Sequence, residues 1–262
     1  MANLPLFNIP FLAAQWYNEY QKFHGSAEEK ALVNRLRTWS NRNVLSESSS
    51  ESSFIQNFFC DTWGYAQQHQ STDGSYDCYP QFPVALAGQS GGKGAADLAL
   101  GRFGSNQTIS GIPQILCEFK HIQTDLDKQQ QRKGNTRSPV RQCFDYLREA
   151  RTALTGNELV EPSWGIVTDM NEFRLYYFGH GMSEYQRFVI QPVTSADNED
   201  CLLGNSDSAS FRRFLFWKMF HRSTLLSEKG PSYLEKLLKD QLIHEGELEK
   251  EFYLEYRDYR QY

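Results

Sequence analysis

The chain has 262 residues, 40% of them hydrophobic and 14% aromatic, which is enough to bury a sizeable core, and a formal net charge of −5 at pH 7. No apolar run approaches the length of a membrane span, and the N-terminus lacks the basic-then-apolar layout of a secretory signal, so a cytoplasmic location is expected. The acidic balance argues against a domain that grips duplex nucleic acid by surface charge alone; Cys60, Cys78, Cys117, Cys143 and Cys201, odd in number and without a Cys-x-x-Cys pair, argue against zinc and against a disulfide framework.

Helices are expected over residues 11–24 and 27–40, the second opened by Ser26 with Glu29 at capping-box spacing and carrying Leu32, Val33, Leu36 and Trp39 on one face. The serine-rich run 46–53 reads as a short loop, because Phe54, Ile55, Phe58 and Phe59 follow at helical spacing and predict a core helix with Glu51 at its start. Residues 71–94 show little periodicity apart from a strand-like stretch at 81–86. Gly91, Gly92 and Gly94 around Lys93 lack the full phosphate-loop pattern and precede a strand, which excludes nucleotide binding there. A hairpin follows, 95–103 pairing with 114–120 across a polar turn, with Leu98, Leu100, Ile115 and Cys117 facing inward.

The polar stretch 125–141 holds Lys128, Arg132, Lys133, Arg137 and Arg141 among glutamines, and reads either as a basic loop against a DNA backbone or as an ordinary solvated loop. Pro139 starts a helix with Gln142, Tyr146 and Leu147, since proline is well tolerated in a first turn. Residues 164–169 and 174–178 read as paired strands around a turn at 170–172, and 188–193 as one more strand. From 210 onward the pattern is helical, in segments 210–220, 231–242 and 245 to the end. The order predicts an α/β fold with a mixed central sheet flanked by helices, an N-terminal helical layer (1–50), a core (51–195) and a C-terminal helical connector (196–262).

Chemistry is concentrated at Asp97 and at Glu118-Phe119-Lys120. In a strand, Glu-x-Lys turns both side chains to one face, so a carboxylate and an ammonium would share one pocket. Alone, such a triplet usually marks the solvated face of an edge strand. The setting singles this one out: Asp97 precedes it at hairpin distance, Glu51 lies upstream, and Gln142 and Tyr146 follow on a helix. The histidines are scattered and offer no metal or nucleophile set.

In this order the region 51–178 resembles the PD-(D/E)XK nuclease superfamily, in particular the N-terminal cleavage domain of type IIG-like restriction enzymes, which fuse nuclease, methyltransferase and target recognition in one polypeptide; type I restriction subunits carry a related domain. The matching residues are Glu51, Asp97, Glu118, Lys120 and Gln142, with Trp63-Gly64-Tyr65 and the stretch from Trp164 to Thr168 in support. Ala96 stands where the motif's name has proline, a position that varies and carries no chemistry.

The resemblance implies a Mg2+-dependent endonuclease, Mn2+ substituting, in which Asp97, Glu118 and the main-chain carbonyl of Phe119 hold the ion and Lys120 sits near the attacking water. Glu51 would bind a second ion or orient a metal-bound water, a role Glu47 could also take. Gln142 would fix Lys120 or contact the DNA backbone, and Tyr146 would support it. The resemblance also implies double-stranded DNA as substrate, methyltransferase and target-recognition domains beyond these residues, and transient pairing of two copies for double-strand cleavage. No Gly-rich methyl-donor loop or Asn-Pro-Pro-Tyr occurs in the chain. Beside this reading stand a recombination or repair nuclease of the same superfamily, and a degenerate nuclease fold kept as a DNA-binding or assembly module.

Overall fold

The computed structural model describes residues 4–42, 47–72, 74–88, 92–104, 111–131, 136–153 and 160–259. Six strands form one mixed sheet in sequential order, β1 (Ser75–Val84), β2 (Gly94–Gly104), β3 (Pro113–Phe119), β4 (Trp164–Thr168), β5 (Glu172–Tyr177) and β6 (Gln186–Val189). All neighbours are antiparallel except β3 and β4, which run parallel because a helix, α5 (Pro139–Thr152), crosses over between them. The expected mixed sheet flanked by helices is the observed architecture.

The expected 95–103/114–120 hairpin is the β2–β3 pair, and Leu98, Leu100, Ile115 and Cys117 are all fully buried. β1 is longer than the strand-like stretch 81–86. A register shift between Tyr76 and Cys78 and the left-handed backbone of Gln81 (φ 52°) interrupt its alternation, so a period of two does not run through it. Pro80 and Pro83 bring no amide protons to a ladder, and β1 accordingly takes the sheet edge.

One face of the sheet is covered by α1 (Ile9–Gln15), α2 (Tyr17–Phe23), α3 (Ala27–Ser40), α4 (Glu47–Phe54) with the π-helical turn Ile55–Cys60 that continues it, α6 (Asp207–Phe220), the short α7 (Arg222–Leu225) and the first turns of α8 (Tyr233–Tyr259). α3 begins where its Ser26 cap predicts, the Ser26 hydroxyl accepting from Glu29 N–H at 3.2 Å. The expected helix 11–24 is instead two, broken at Trp16. Its buried indole packs on Phe214 and donates to Tyr233 Oη at 3.1 Å, so tertiary packing overrides the continuous periodicity.

α4 also differs from expectation. The serines form its first turns, which places Glu51 in the second turn and not at the start. The expected segments 231–242 and 245 onward are one helix: residues 243–245 carry no break, and Gly246 meets nothing nearby. Nor does packing stop at residue 195. Phe214, Phe216, Met219 and Phe220 of α6 and Leu234, Leu237 and Leu238 of α8 belong to the same core as the N-terminal helices. Among the described residues, the opposite face of the sheet carries α5 and a smaller apolar cluster. No helix among the described residues is long and apolar enough to cross a membrane.

Candidate functional site

The pairing of Leu98 with Cys117 in antiparallel β2 and β3 brings Asp97 opposite Glu118 one step further on. Leu98 and Cys117 enter the large core while Ala99 and Leu116 enter the cluster under α5; by alternation Asp97, Glu118 and Lys120 turn toward α5. The strand geometry expected of Glu-x-Lys is thus realised. Lys120 Nζ donates to Glu118 Oε1 and, at 2.9 Å, to the carbonyl of Phe119. Glu118 is 1% exposed and Lys120 5%, so the ion pair lies out of water, where its charges act strongly on their surroundings. Asp97 is half-buried, and its Oδ2 accepts from the Phe119 N–H at 2.7 Å.

α5 closes the site from above. Ser138 caps it, accepting from Arg141 N–H, and Pro139 occupies its first turn as expected. Gln142 Nε2 donates to Tyr146 Oη at 2.7 Å, the one-turn spacing that puts both on the same helix face. The Tyr146 ring lies over the start of β2 so closely that a Cβ on Gly94 would come within 2.9 Å of it. Electrostatics report the same assembly. Burial, and after it the charges of Glu118 and Asp97, push the Cys143 thiol on α5 well up, and burial together with the Glu118 charge raises the Tyr146 phenol.

The structure therefore brings together Asp97, Glu118, Phe119 O, Lys120, Tyr146 and Gln142. Glu51, on α4, is half-buried one turn before Phe54, whose ring packs edge-on against Phe119 at 5.2 Å on the helix-rich face. Among the described residues, no three His, Cys, Asp or Glu side chains gather in a way that could hold one metal ion. Of Glu47 the structure describes the backbone in α4.

The basic residues expected to line DNA fare unevenly. Arg132 and Lys133 lie outside the described residues. Arg137 is turned inward, Nη1 donating to Ala87 O at 2.9 Å and to Asp145 Oδ2 at 3.0 Å, so it fastens the chain after β1 to α5. Arg141 pairs with the same Asp145 but keeps an exposed side chain, and Lys128 is exposed. One neighbour of the site had no sequence signal strong enough to find it: Gln81, on edge strand β1, whose Nε2 reaches 3.5 Å from Asp97 Oδ1. The two prolines around it mark an edge strand, but only the register (Pro80 with Leu98, Phe82 with Ala96) places it beside Asp97.

Comparisons with protein-family models, with curated proteins and with solved structures find no match to this chain, and the reading of the site rests on its own residues and geometry.

Proposed function

We propose that the chain is a magnesium-dependent DNA endonuclease domain of a restriction and modification enzyme, hydrolysing phosphodiester bonds at Asp97, Glu118 and Lys120. The observation that carries this reading is the convergence, on one sheet face under α5, of carboxylates from two antiparallel strands with a buried lysine whose ammonium rests on both Glu118 Oε1 and the Phe119 carbonyl.

The donor set fits a hard divalent ion: two carboxylates and a carbonyl offer only oxygen, and two of these oxygens already attract a positive charge. Asp97, Glu118 and Phe119 O would hold the ion, which when bound supplies Lewis acidity toward a phosphoryl oxygen and makes a bound water more acidic than bulk water. The Phe119 N–H orients the Asp97 carboxylate. Lys120, held in a dry pocket, stabilises the negative charge that develops on the phosphoryl group, a role in which a preorganised charge is worth far more than in water. Tyr146, hydrogen-bonded to Gln142 and seated over Gly94, keeps α5 at its distance above the carboxylates. With a net charge of −5 the domain holds DNA weakly, with strong salt dependence, and exposed Lys128 and Arg141 supply local contacts to the backbone.

The Lys120 contacts also favour a second reading, a DNA-binding or assembly module in which Lys120 is a permanent counter-ion to Glu118. Nicking of supercoiled plasmid at low salt with Mg2+ or Mn2+, joined to calorimetric titration with Mn2+, separates the two. The nuclease reading expects metal-dependent nicking that Asp97→Ala and Lys120→Ala both abolish, and Mn2+ binding that Asp97→Ala removes. Nicking that survives both substitutions defeats the site assignment, and an absence of Mn2+ binding favours the module.

A further inference from the structure

The π-helical turn after α4 ends at Cys60, half-buried, and the edge strand β1 carries Cys78, 2% exposed. The chain between them folds back against β1: Gln67 bridges to Cys78, and the Asp77 and Cys78 amides both donate to Ala66 O, at 2.8 and 3.1 Å. As a result the two sulfurs meet. The Cys78 S–H donates to the Cys60 sulfur, which also accepts from Gln67 Nε2 at 3.2 Å.

We propose that Cys60 and Cys78 form a reversible thiol–disulfide site for low-molecular-weight disulfides, Cys60 attacking and Cys78 resolving. This does not depend on the phosphodiester reading. Two donors aimed at one sulfur stabilise its thiolate, and the Cys78 hydrogen bond is the largest influence holding the Cys60 thiol below its usual range, with burial and the Asp61 and Asp77 charges opposing it. Donation to Cys60 and burial push the Cys78 thiol strongly up, so it keeps its proton until exchange begins. The half-buried partner is the one a small molecule reaches, and the buried partner is poised beside it, the division of labour that resolving pairs use.

In the first step the Cys60 thiolate attacks one sulfur of the small disulfide, whose S–S bond breaks and whose other half leaves as thiolate. In the second, Cys78 passes its proton to that leaving thiolate and attacks the Cys60 sulfur, releasing the remaining half. The second released half takes up the proton that Cys60 gave to solvent on ionising, so that in sum the protein loses two protons and two electrons and the small disulfide becomes two thiols. The new bond would tie the segment following α4 to the edge strand that pairs with β2, the strand of Asp97.

The test incubates the native full chain with oxidised glutathione, quenches with an alkylating agent and maps disulfides by mass spectrometry of peptides. Wild type is expected to lose the mass of two hydrogens and yield a Cys60–Cys78 linked peptide. Cys78→Ser is expected to stop at a glutathione adduct on Cys60, Cys60→Ser to yield no intramolecular disulfide, and Cys201→Ser to behave as wild type. A native wild type whose Cys60 acquires glutathione without resolution, whose linkage maps to another pair, or whose Cys60 reacts no faster than half-buried Cys201, overturns the proposal. Cys60→Ser replaces a half-buried thiol with its near-isostere and keeps the comparison decisive if Cys78→Ser does not fold.

Discussion

The two faces of the sheet are built on different terms. On the helix-rich face Phe54, Phe58, Trp63, Phe173, Phe216 and Phe220 interlock as edge-to-face and stacked rings, all fully buried. On the other face α5 covers the middle of the sheet, and charge fills both ends: Asp97, Glu118 and Lys120 over β2 and β3, and over β5 and β6 a network in which Arg187 pairs with Glu172, Asp197 and Asp200 while Arg174 pairs with Glu172 and Asp127. One face supplies the apolar burial that holds the fold; the other can keep partly buried charges because the first does so.

The strongest way to break that division is Phe173→Ala. Its ring meets Phe216 at 5.0 Å, Phe58 at 5.5 Å and Phe54 at 5.6 Å, and removing it leaves a cavity no neighbour can fill; the expected loss is about 3–5 kcal/mol in urea unfolding. A loss below about 1 kcal/mol would mean that the aromatic face is not where stability resides. Next in size is Gly165→Ala in β4, where the new Cβ would lie 2.9 Å from Cys143 Sγ and 3.2 Å from Leu147 Cδ1. Lifting α5 by that amount should cost about 1–3 kcal/mol. Because α5 also seats Gln142 and Tyr146, plasmid nicking should fall further than that loss of stability explains, which a core lesion such as Phe173→Ala would not do at temperatures where it stays folded.

The same division governs what was legible in the sequence. Elements whose signals are local came through: the Ser26-capped α3, the β2–β3 hairpin with its inward Leu98 and Cys117, and α5 behind Ser138-Pro139. The site residues on that hairpin and helix were readable because strand alternation and the one-turn helix spacing fix their directions without knowledge of the rest. What failed depended on distant partners. Trp16 breaks its helix to reach Tyr233, and Arg137 turns inward because Asp145 and Ala87 O await it across α5. No local pattern encodes those partners. Only the last part of β1 was readable, within the strand-like stretch 81–86, because its bulge and the left-handed Gln81 erase the period of two that marks a strand.

The smallest expected effect tests the charged end of the α5 face. Asp197 is buried, which alone would raise its carboxyl, but hydrogen bonds from Arg187 and from the Thr194 and Val193 amides outweigh that and hold it down to about 2, from an ordinary value of 3.8. A folded-state value below the unfolded one means that the carboxylate stabilises the fold at every pH above about 3.8, and that this contribution disappears as pH falls from there toward about 2. Asp197→Asn should therefore be less stable than wild type at neutral pH, by on the order of 1 kcal/mol once solvent screening of the network is allowed for, with the gap closing at the acid end. Urea midpoints for both proteins between pH 2 and pH 5 measure the gap directly, since other carboxylates titrate in each and cancel in the difference. The absence of a gap at neutral pH would assign Asp197 to hydrogen-bonded turn geometry rather than to charge, because its bonds to the Thr194 and Val193 amides need only an acceptor oxygen, which Asn keeps, and only the pairing with Arg187 needs the ionised form.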